Sequence, residues 1–382
     1  MKPFVWRIHP SLLEQNLKIL GTDQGGEKII KQKSRDFVFK IHRLSLSATH
    51  ILKQEAISVG ADLATPRDFI LCKQSHYDCI LLGSTSQIRR IIQKCQIQPF
   101  GLKEIANTLK THLKSTLPDQ PKLMAILNLT PDSFYEGSRF DPHQAINQIR
   151  SYIDLGIEII DIGGASSRPQ SELIDPQEEL KRLKDLILLI EQNKLHNLAT
   201  FSIDTYNPSV ADFALSHGFR ILNDILGFSN PDMIQVCSKY NAQAILMHSR
   251  GTPKTMQNLT NYTHLFAEID AFFESKITQL REHRIENIIL DIGFGFAKEV
   301  EHNLSLIQNL MHFKRFNLPL LVGASRKNTI GILTKQSIEN RLSGTLALHQ
   351  IALQNGADIL RVHDVREHLD LLAIHQAMRK QW

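Results

Sequence analysis

Eight times between residues 122 and 382 a short apolar run breaks off within a step into amide, hydroxyl, carboxylate or cationic groups. The first runs from Leu123 to Leu127 and ends at Asn128. The others run Ile157 to Gly164, Phe201 to Tyr206, Ile221 to Gly227, Ala244 to His248, Ile288 to Phe294, Leu318 to Ser325 and Ile359 to His363. The first is too short for a helix and lacks surface alternation, as expected of a strand covered on both faces in a parallel sheet. Segments with helical spacing lie between the runs. Eight strand-then-helix units over about 260 residues predict an α/β fold, a (β/α)8 TIM barrel, whose strands bring their carboxyl ends to one mouth.

Residues 1–114 do not share this rhythm and predict a small α+β N-terminal domain. Strands are expected at Phe37 to Leu44 and Asp78 to Gly83, and helices at His50 to Ser58, Gln87 to Cys95 and Leu102 to His112. Its role is not legible from its residues. Cys72, Cys79 and Cys95 share the domain with His50 and His76, and their irregular spacing favours inert, partly buried thiols over a metal cluster. Residues 115–121, with two prolines and no period, read as a linker to the barrel, 122–382.

Composition narrows the function classes. With 42% hydrophobic and 22% charged residues the chain is an ordinary soluble one. Its balance of 44 Lys+Arg against 39 Asp+Glu is mildly basic without a dense basic block, which argues against nucleic acid and suits small anionic substrates. The four cysteines form no C-x-x-C pair, no apolar leader opens the chain, and no run approaches the roughly 18 apolar residues of a membrane span. A cytoplasmic protein is expected.

The polar endings carry the chemistry. Pro131 to Arg139 reads as a loop and a candidate flap, and Asp161 to Pro169 offers paired glycines, hydroxyls and Arg168. An aspartate at a strand end serves as a helix cap or as a ligand; Asp204, Asn223 and Asp291 on three different strands together favour the ligand. Carboxylates aimed inward seek a partner with several N–H donors, such as a guanidine-like heterocycle, because a buried unpaired charge costs several kcal/mol. Asn223 offers a mixed donor and acceptor edge, and Lys327 a donor. Met247 and Phe296 either cover the faces of such a ring or pack as plain core. Strand alternation puts Arg361 and His363 on one face. With Arg168 they are expected to form a separate cationic cluster suited to pyrophosphate, beside Asn128 for a Mg²⁺ on the same oxygens.

These endings, read in order, carry a family resemblance. Leu127-Asn-Leu-Thr-Pro-Asp-Ser-Phe134, Asp161 to Pro169, Ser202-Ile-Asp204, Asn223-Asp224, Leu246-Met-His248, Leu290-Asp-Ile-Gly-Phe-Gly-Phe296, Gly323 to Lys327 and Arg361-Val-His-Asp364 resemble dihydropteroate synthase. The likeness implies a Mg²⁺-dependent transferase of folate synthesis. It would join 6-hydroxymethyl-7,8-dihydropterin pyrophosphate to para-aminobenzoate, giving 7,8-dihydropteroate and pyrophosphate. The family is the target of sulfonamides. The resemblance implies that Asp204, Asn223, Asp291 and Lys327 hold the pterin in a pocket lined by Met247 and Phe296. It implies that Ser167, Pro169, Phe134, Phe296 and Ser325 border the aminobenzoate. Asn128, Arg168, Arg361 and His363 would take Mg²⁺ and pyrophosphate, with Arg361, His363, Arg168 and Lys327 as catalytic groups, in a homodimer formed through barrel helices.

The chain departs from the family pattern in places. The usual Glu-Ser-Thr-Arg-Pro-Gly stands as Ala165-Ser-Ser-Arg-Pro-Gln170, without the carboxylate and without the threonine methyl at Ser167. The usual Asp-Gly of the first flap is Glu136-Gly137, and Ala297 replaces a glycine before Lys298. Two other readings compete. A pterin-binding methyltransferase that works with a corrinoid partner has a similar barrel, but no need for Ser325-Arg-Lys327 and Arg361-x-His363. A catalytically dead barrel serving as a pterin binder or scaffold conflicts with intact charges on both sides of the mouth.

Overall fold

The structure, a computed structural model, describes residues 13–20, 23–34, 36–129, 135–136, 139–140, 142–165 and 173–380. The chain divides into two units, Met1–Ser115 with Met378–Trp382, and Thr116–Ala377. The first contains α1 (Leu13–Ile19), α2 (Gln24–Ser34), β1 (Asp36–Ser45), α3 (Leu46–Ser58), β2 (Asp62–Ala64), β3 (His76–Ser84), α4 (Thr85–Cys95) and α5 (Leu102–Lys114). Its strands form an antiparallel sheet in the order β1-β3-β2. Alternation along β3 buries Tyr77, Cys79 and Leu81 in a core with Leu52, Ala56, Ile88 and Leu109. α3 starts at Leu46, upstream of the expected His50, because the Ser45 hydroxyl caps it by accepting from the Ala48 amide. Cys79 and Cys95 are buried, and burial pushes the Cys95 thiol up to about 11. Cys72, expected to be partly buried, is exposed with its Sγ 3.6 Å from His50 Nε2. Among the described residues no group of three or more His, Cys, Asp or Glu could hold a metal, and no helix is long and apolar enough to cross a membrane.

The second unit is the (β/α)8 barrel. After β4 (Lys122–Asn128) come a small ribbon of β5 (Tyr135–Glu136) with β6 (Arg139–Phe140), then α6 (Pro142–Asp154), β7 (Ile159–Gly163), α7 (Pro176–Gln192), β8 (Thr200–Asp204) and α8 (Pro208–Ser216). There follow β9 (Ile221–Asp224), α9 (Pro231–Lys239), β10 (Gln243–Met247), α10 (Leu265–Glu282), β11 (Ile288–Asp291) and α11 (Val300–Gln308). The chain continues with β12 (Leu320–Val322), α12 (Asn328–Thr334), α13 (Leu342–Gln354), β13 (Ile359–Val362) and α14 (Val365–Lys380). The parallel strands close in the order β10-β11-β12-β13-β4-β7-β8-β9. Proline in the first turn starts α7, α8 and α9, and the side chains of Asp175 and Asn230 cap α7 and α9.

Alternation sorts the strand residues into two cores. One set, including Ile160, Ile162, Phe201, Ile203 and Leu246, packs outward against the helices. The other, Met124, Ile159, Ile221, Ile245, Ile289, Leu321 and Ile359, fills the barrel interior as an apolar plug. Two residues further along five of these strands stand Asp161, Asn223, Met247, Asp291 and Arg361, on the same inward face by the period of the strand. The plug is thus the floor of a polar layer. Several strands are shorter than their apolar runs. The run from Leu318 to Ser325 is strand only over Leu320–Val322, and that from Ile288 to Phe294 stops at Asp291. In the second case Gly293 turns the chain with φ +64° and lies so close to β10 that a Cβ there would sit 1.9 Å from the His248 carbonyl oxygen.

Candidate active site

The polar layer is organised by one guanidinium. Arg361 Nε donates to Asp161 Oδ2 at 2.6 Å, and its Nη2 donates to Asp204 Oδ2 at 2.5 Å. Asn223 Nδ2 donates to the same Asp161 oxygen at 3.1 Å. Burial opposes the charge on Arg361, but Asp161 and Asp204 outweigh it and hold its pKa above the ordinary value. Burial pushes the Asp204 carboxyl up to about 7; Arg361 pulls it down while Asp161 and Glu179 push it further up. Asp291, whose Oδ1 accepts the Gly293 amide at 2.7 Å, is also raised by burial. Lys327 Nζ lies 4.2 Å from the centre of the Phe296 ring, and burial, then Arg361, lowers its pKa to about 8. Acids whose charge is held back by desolvation are primed for a ligand that brings N–H donors.

Met247 and Phe296 are buried in an apolar cluster with Tyr206, Ile225, Met256 and Ala297. Phe296 is held from below by Lys298, a buried residue outside the expected site. Its Nζ contacts His248 Nδ1 at 2.9 Å and donates to the carbonyl oxygens of Gly293 (3.1 Å), Phe296 (3.0 Å) and His248 (3.3 Å). One side chain therefore pins the loop after β11 to the end of β10. Burial lowers Lys298 to about 7 and, with the charge of Lys298, keeps His248 neutral. Asp161 was also missing from the expected site residues. The signal for it was present, since Ile159, Asp161 and Gly163 share the inward period of β7. Asp224, by contrast, is a turn residue: its oxygens accept the amides of Leu226 and Phe228 at 2.8 and 2.9 Å.

On the other side of the mouth, His363 Nδ1 lies 2.9 Å from the buried Ser325 Oγ. Desolvation by its neighbours, then Arg361, Arg326 and Lys327, lower His363 to about 4 although the ring is exposed at the rim. Arg326 is paired with both Asp364 oxygens. The Asn128 Oδ1 reaches over Gly163, within 3.1 Å of where a Cβ there would stand. One expectation is corrected: Arg361 does not belong to a cationic cluster separate from the carboxylates. As an inward strand residue it is drawn into the barrel by Asp161 and Asp204, whereas His363, past the end of β13, stays at the rim. Phe134, Ser167, Arg168 and Pro169 lie outside the described residues.

The chain is similar in sequence and fold to known proteins. The family described as pterin binding enzyme matches residues 124–363. A bifunctional dihydropteroate synthase/dihydropteroate reductase of Helicobacter pylori is 52% identical over 376 residues, covering 98% of this chain and 99% of that protein. A dihydropteroate synthase of Escherichia coli is 39% identical over 260 residues, 67% of this chain and 91% of its own. Among solved structures, a dihydropteroate synthase of Clostridium difficile determined in the presence of pteroic acid is 35% identical with a TM-score of 0.63, covering 69% of this chain and 98% of that one. One of Thermus thermophilus in complex with 4-aminobenzoate is 33% identical with a TM-score of 0.61, covering 68% and 95%. Matched by the family over residues 124–363 and by a relative over 98% of its length, the chain belongs to the pterin-binding enzyme family.

Proposed function

We infer that the barrel is a dihydropteroate synthase, joining 6-hydroxymethyl-7,8-dihydropterin pyrophosphate to para-aminobenzoate to give 7,8-dihydropteroate and pyrophosphate in folate synthesis. The observation that carries this reading is the clustering of Asp204, Asn223 and Asp291 around Arg361, with Ser325 and His363 at the adjacent rim. The guanidine-like edge of the pterin supplies further donors to Asp204 and Asp291, each of which has one oxygen engaged, by Arg361 and by the Gly293 amide, and Met247 and Phe296 cover its faces. An aryl amine is neutral near pH 7 and needs no strong base. The difficult step is cleavage of the bond between the exocyclic carbon and diphosphate oxygen as the carbon–nitrogen bond forms; the amine proton then passes to solvent. Electron donation from the ring supports positive charge at that carbon, and Asp204 and Asp291 stabilise it. Arg361, between the acids and the rim, and His363 stabilise the growing negative charge, each donor contributing about 3 kcal/mol when well placed.

The oxygens present fit a Mg²⁺ ion that arrives on the diphosphate, because Mg²⁺ keeps several waters and takes one or two protein oxygens beside substrate phosphates. Asn128 Oδ1 would hold it, and the ion would neutralise charge on the leaving oxygens. Methyl transfer to a corrinoid partner gives Ser325 and His363 nothing to bind. Incubating the protein with both substrates and Mg²⁺ tests the assignment: mass spectrometry is expected to show dihydropteroate only when both are present, and its absence would refute the reading.

A second activity is favoured by the extent of similarity. The E. coli synthase matches 260 residues, whereas the bifunctional relative matches 376, including the N-terminal unit. We propose that the chain also reduces dihydropteroate, adding two electrons and two protons across the ring C=N bond from a reduced flavin or nicotinamide donor. Conversion of dihydropteroate to the tetrahydro form by the full chain with such a donor is expected. Exposed Ile332, Leu333, Ile338 and Ile351 on and around α12 and α13 support a homodimer through these helices, to be read by sedimentation.

A further inference from the structure

The loop that follows β12 carries Ser325 and Lys327, and α13 grips it through side chains. Thr345 and His349, four residues apart, share one face of that helix, and Arg341 stands at its N-cap. Arg341 Nη1 donates to the Arg326 carbonyl at 3.1 Å, Thr345 Oγ1 accepts the Arg326 amide at 3.0 Å, and His349 Nε2 accepts the Ala324 amide at 3.3 Å. From His349 the contact continues: its Nδ1 is 2.8 Å from His368 Nε2, and His368 Nδ1 is 2.5 Å from the Asp364 carbonyl oxygen. Both rings are fully buried.

The two ends of this chain set its direction. A backbone amide can only donate and a carbonyl oxygen can only accept. His349 must therefore present a bare Nε2 to Ala324, carry its proton on Nδ1 and donate to His368. His368 must in turn carry its own proton on Nδ1 and donate to Asp364. Both rings are neutral and each has one allowed tautomer. We infer that His349 and His368 form a buried, one-directional relay that fixes the Ser325–Lys327 loop against the His363–Asp364 loop, making them positioning residues for the anion side of the site. The same two loops meet above the relay through Ser325 and His363 and through Arg326 and Asp364. A proton added to either ring would set two donors face to face and break the chain. Burial first, then the neighbouring His368 and His363, keeps His349 neutral, and burial keeps His368 neutral against the pull of Asp364 and Glu367.

The inference rests on the synthase reading for its catalytic consequence but not for its geometry, and the test separates them. In the unaltered full chain with ¹⁵N-labelled histidine, nitrogen–proton correlation spectra are expected to show two rings in the Nδ1–H form that do not titrate between about pH 8 and pH 6. A ring in the other tautomer, or one that titrates near its ordinary value, overturns the relay. His349→Leu is expected to lower kcat at least about tenfold and weaken inhibition by inorganic pyrophosphate to a similar degree, with binding of bare pterin changed less than about threefold. His349→Gln, whose amide offers an acceptor and a donor, is expected to recover most of the loss. A kcat within twofold of the parent for His349→Leu, or no recovery with His349→Gln, overturns the positioning role. If His349→Leu does not fold, the spectra of the unaltered chain decide the relay. If the unaltered chain shows no synthase turnover, the same spectra still decide it, and the failure belongs to the function.

Discussion

Arg361 on β13 and Asp204 on β8 are joined by a 2.5 Å hydrogen bond across the barrel mouth, and the same guanidinium reaches Asp161. The acids expected to read the ring and the cation expected to take the diphosphate are therefore one electrostatic unit. A change to either member should be felt in both halves of the reaction.

Removing the cation is the most severe change. Arg361→Ala is expected to lower turnover by roughly ten- to a thousandfold, with a milder loss of pterin binding. Removing the cation shared by Asp161 and Asp204, with Asn223 left as the donor to Asp161, also costs about 3–5 kcal/mol of stability. Steady-state kinetics and a denaturant titration on the same preparation check both; unchanged turnover would remove Arg361 from the leaving-group role.

Asp204 should make pterin binding depend on pH. Its pKa in the fold, about 7, lies above the ordinary 3.8, so the folded chain keeps a proton that the unfolded chain has lost in that window. From this group alone, ligand-free stability falls as pH rises from about 4 to about 7, by at most about 1.4 kcal/mol per unit. The ligand's N–H donors need the carboxylate, so binding should release a proton near pH 6.5 and weaken as pH falls below about 7. Calorimetry in buffers of different ionisation enthalpy reads that proton, and Asp204→Asn should lose both the proton release and most of the affinity.

Lys298→Met should leave the carbonyls of His248, Gly293 and Phe296 without their shared donor, at about 1–3 kcal/mol for each that water cannot reach. The expected result is a thermal midpoint lower by at least about 5 °C, and pterin affinity weakened about tenfold as Phe296 and Asp291 lose their anchor. A variant with wild-type affinity would show that the loop holds itself.

Gly293→Ala meets two obstacles at once, a φ of +64° and a carbonyl oxygen 1.9 Å from the new Cβ. A loss of at least about 2 kcal/mol is expected, seen as a lower denaturant midpoint. A midpoint unchanged by the methyl group would mean that the β10 and β11 ends do not touch.

The barrel was legible because each strand is buried on both faces, so apolar runs and polar endings survive in the sequence without tertiary help. Asp204, Asn223 and Asp291 were legible for the same reason, standing at strand ends. Arg361 was expected apart from the acids, because alternation reveals which way a residue points but not that Asp161 on β7 and Asp204 on β8 lie within its reach across the barrel. Lys298 escaped because it follows the strand by several residues and acts through backbone carbonyls, which no side-chain pattern records. His349 and His368 sit on helices whose burial is ordinary, and only their contact shows that they form a pair.

The most direct measurement is pyrophosphate release from dihydropterin pyrophosphate by the purified chain with Mg²⁺, with and without para-aminobenzoate. Release that requires the amine and matches the dihydropteroate formed, mole for mole, is the predicted result. Release that proceeds equally without the amine, or none under either condition, would contradict the account.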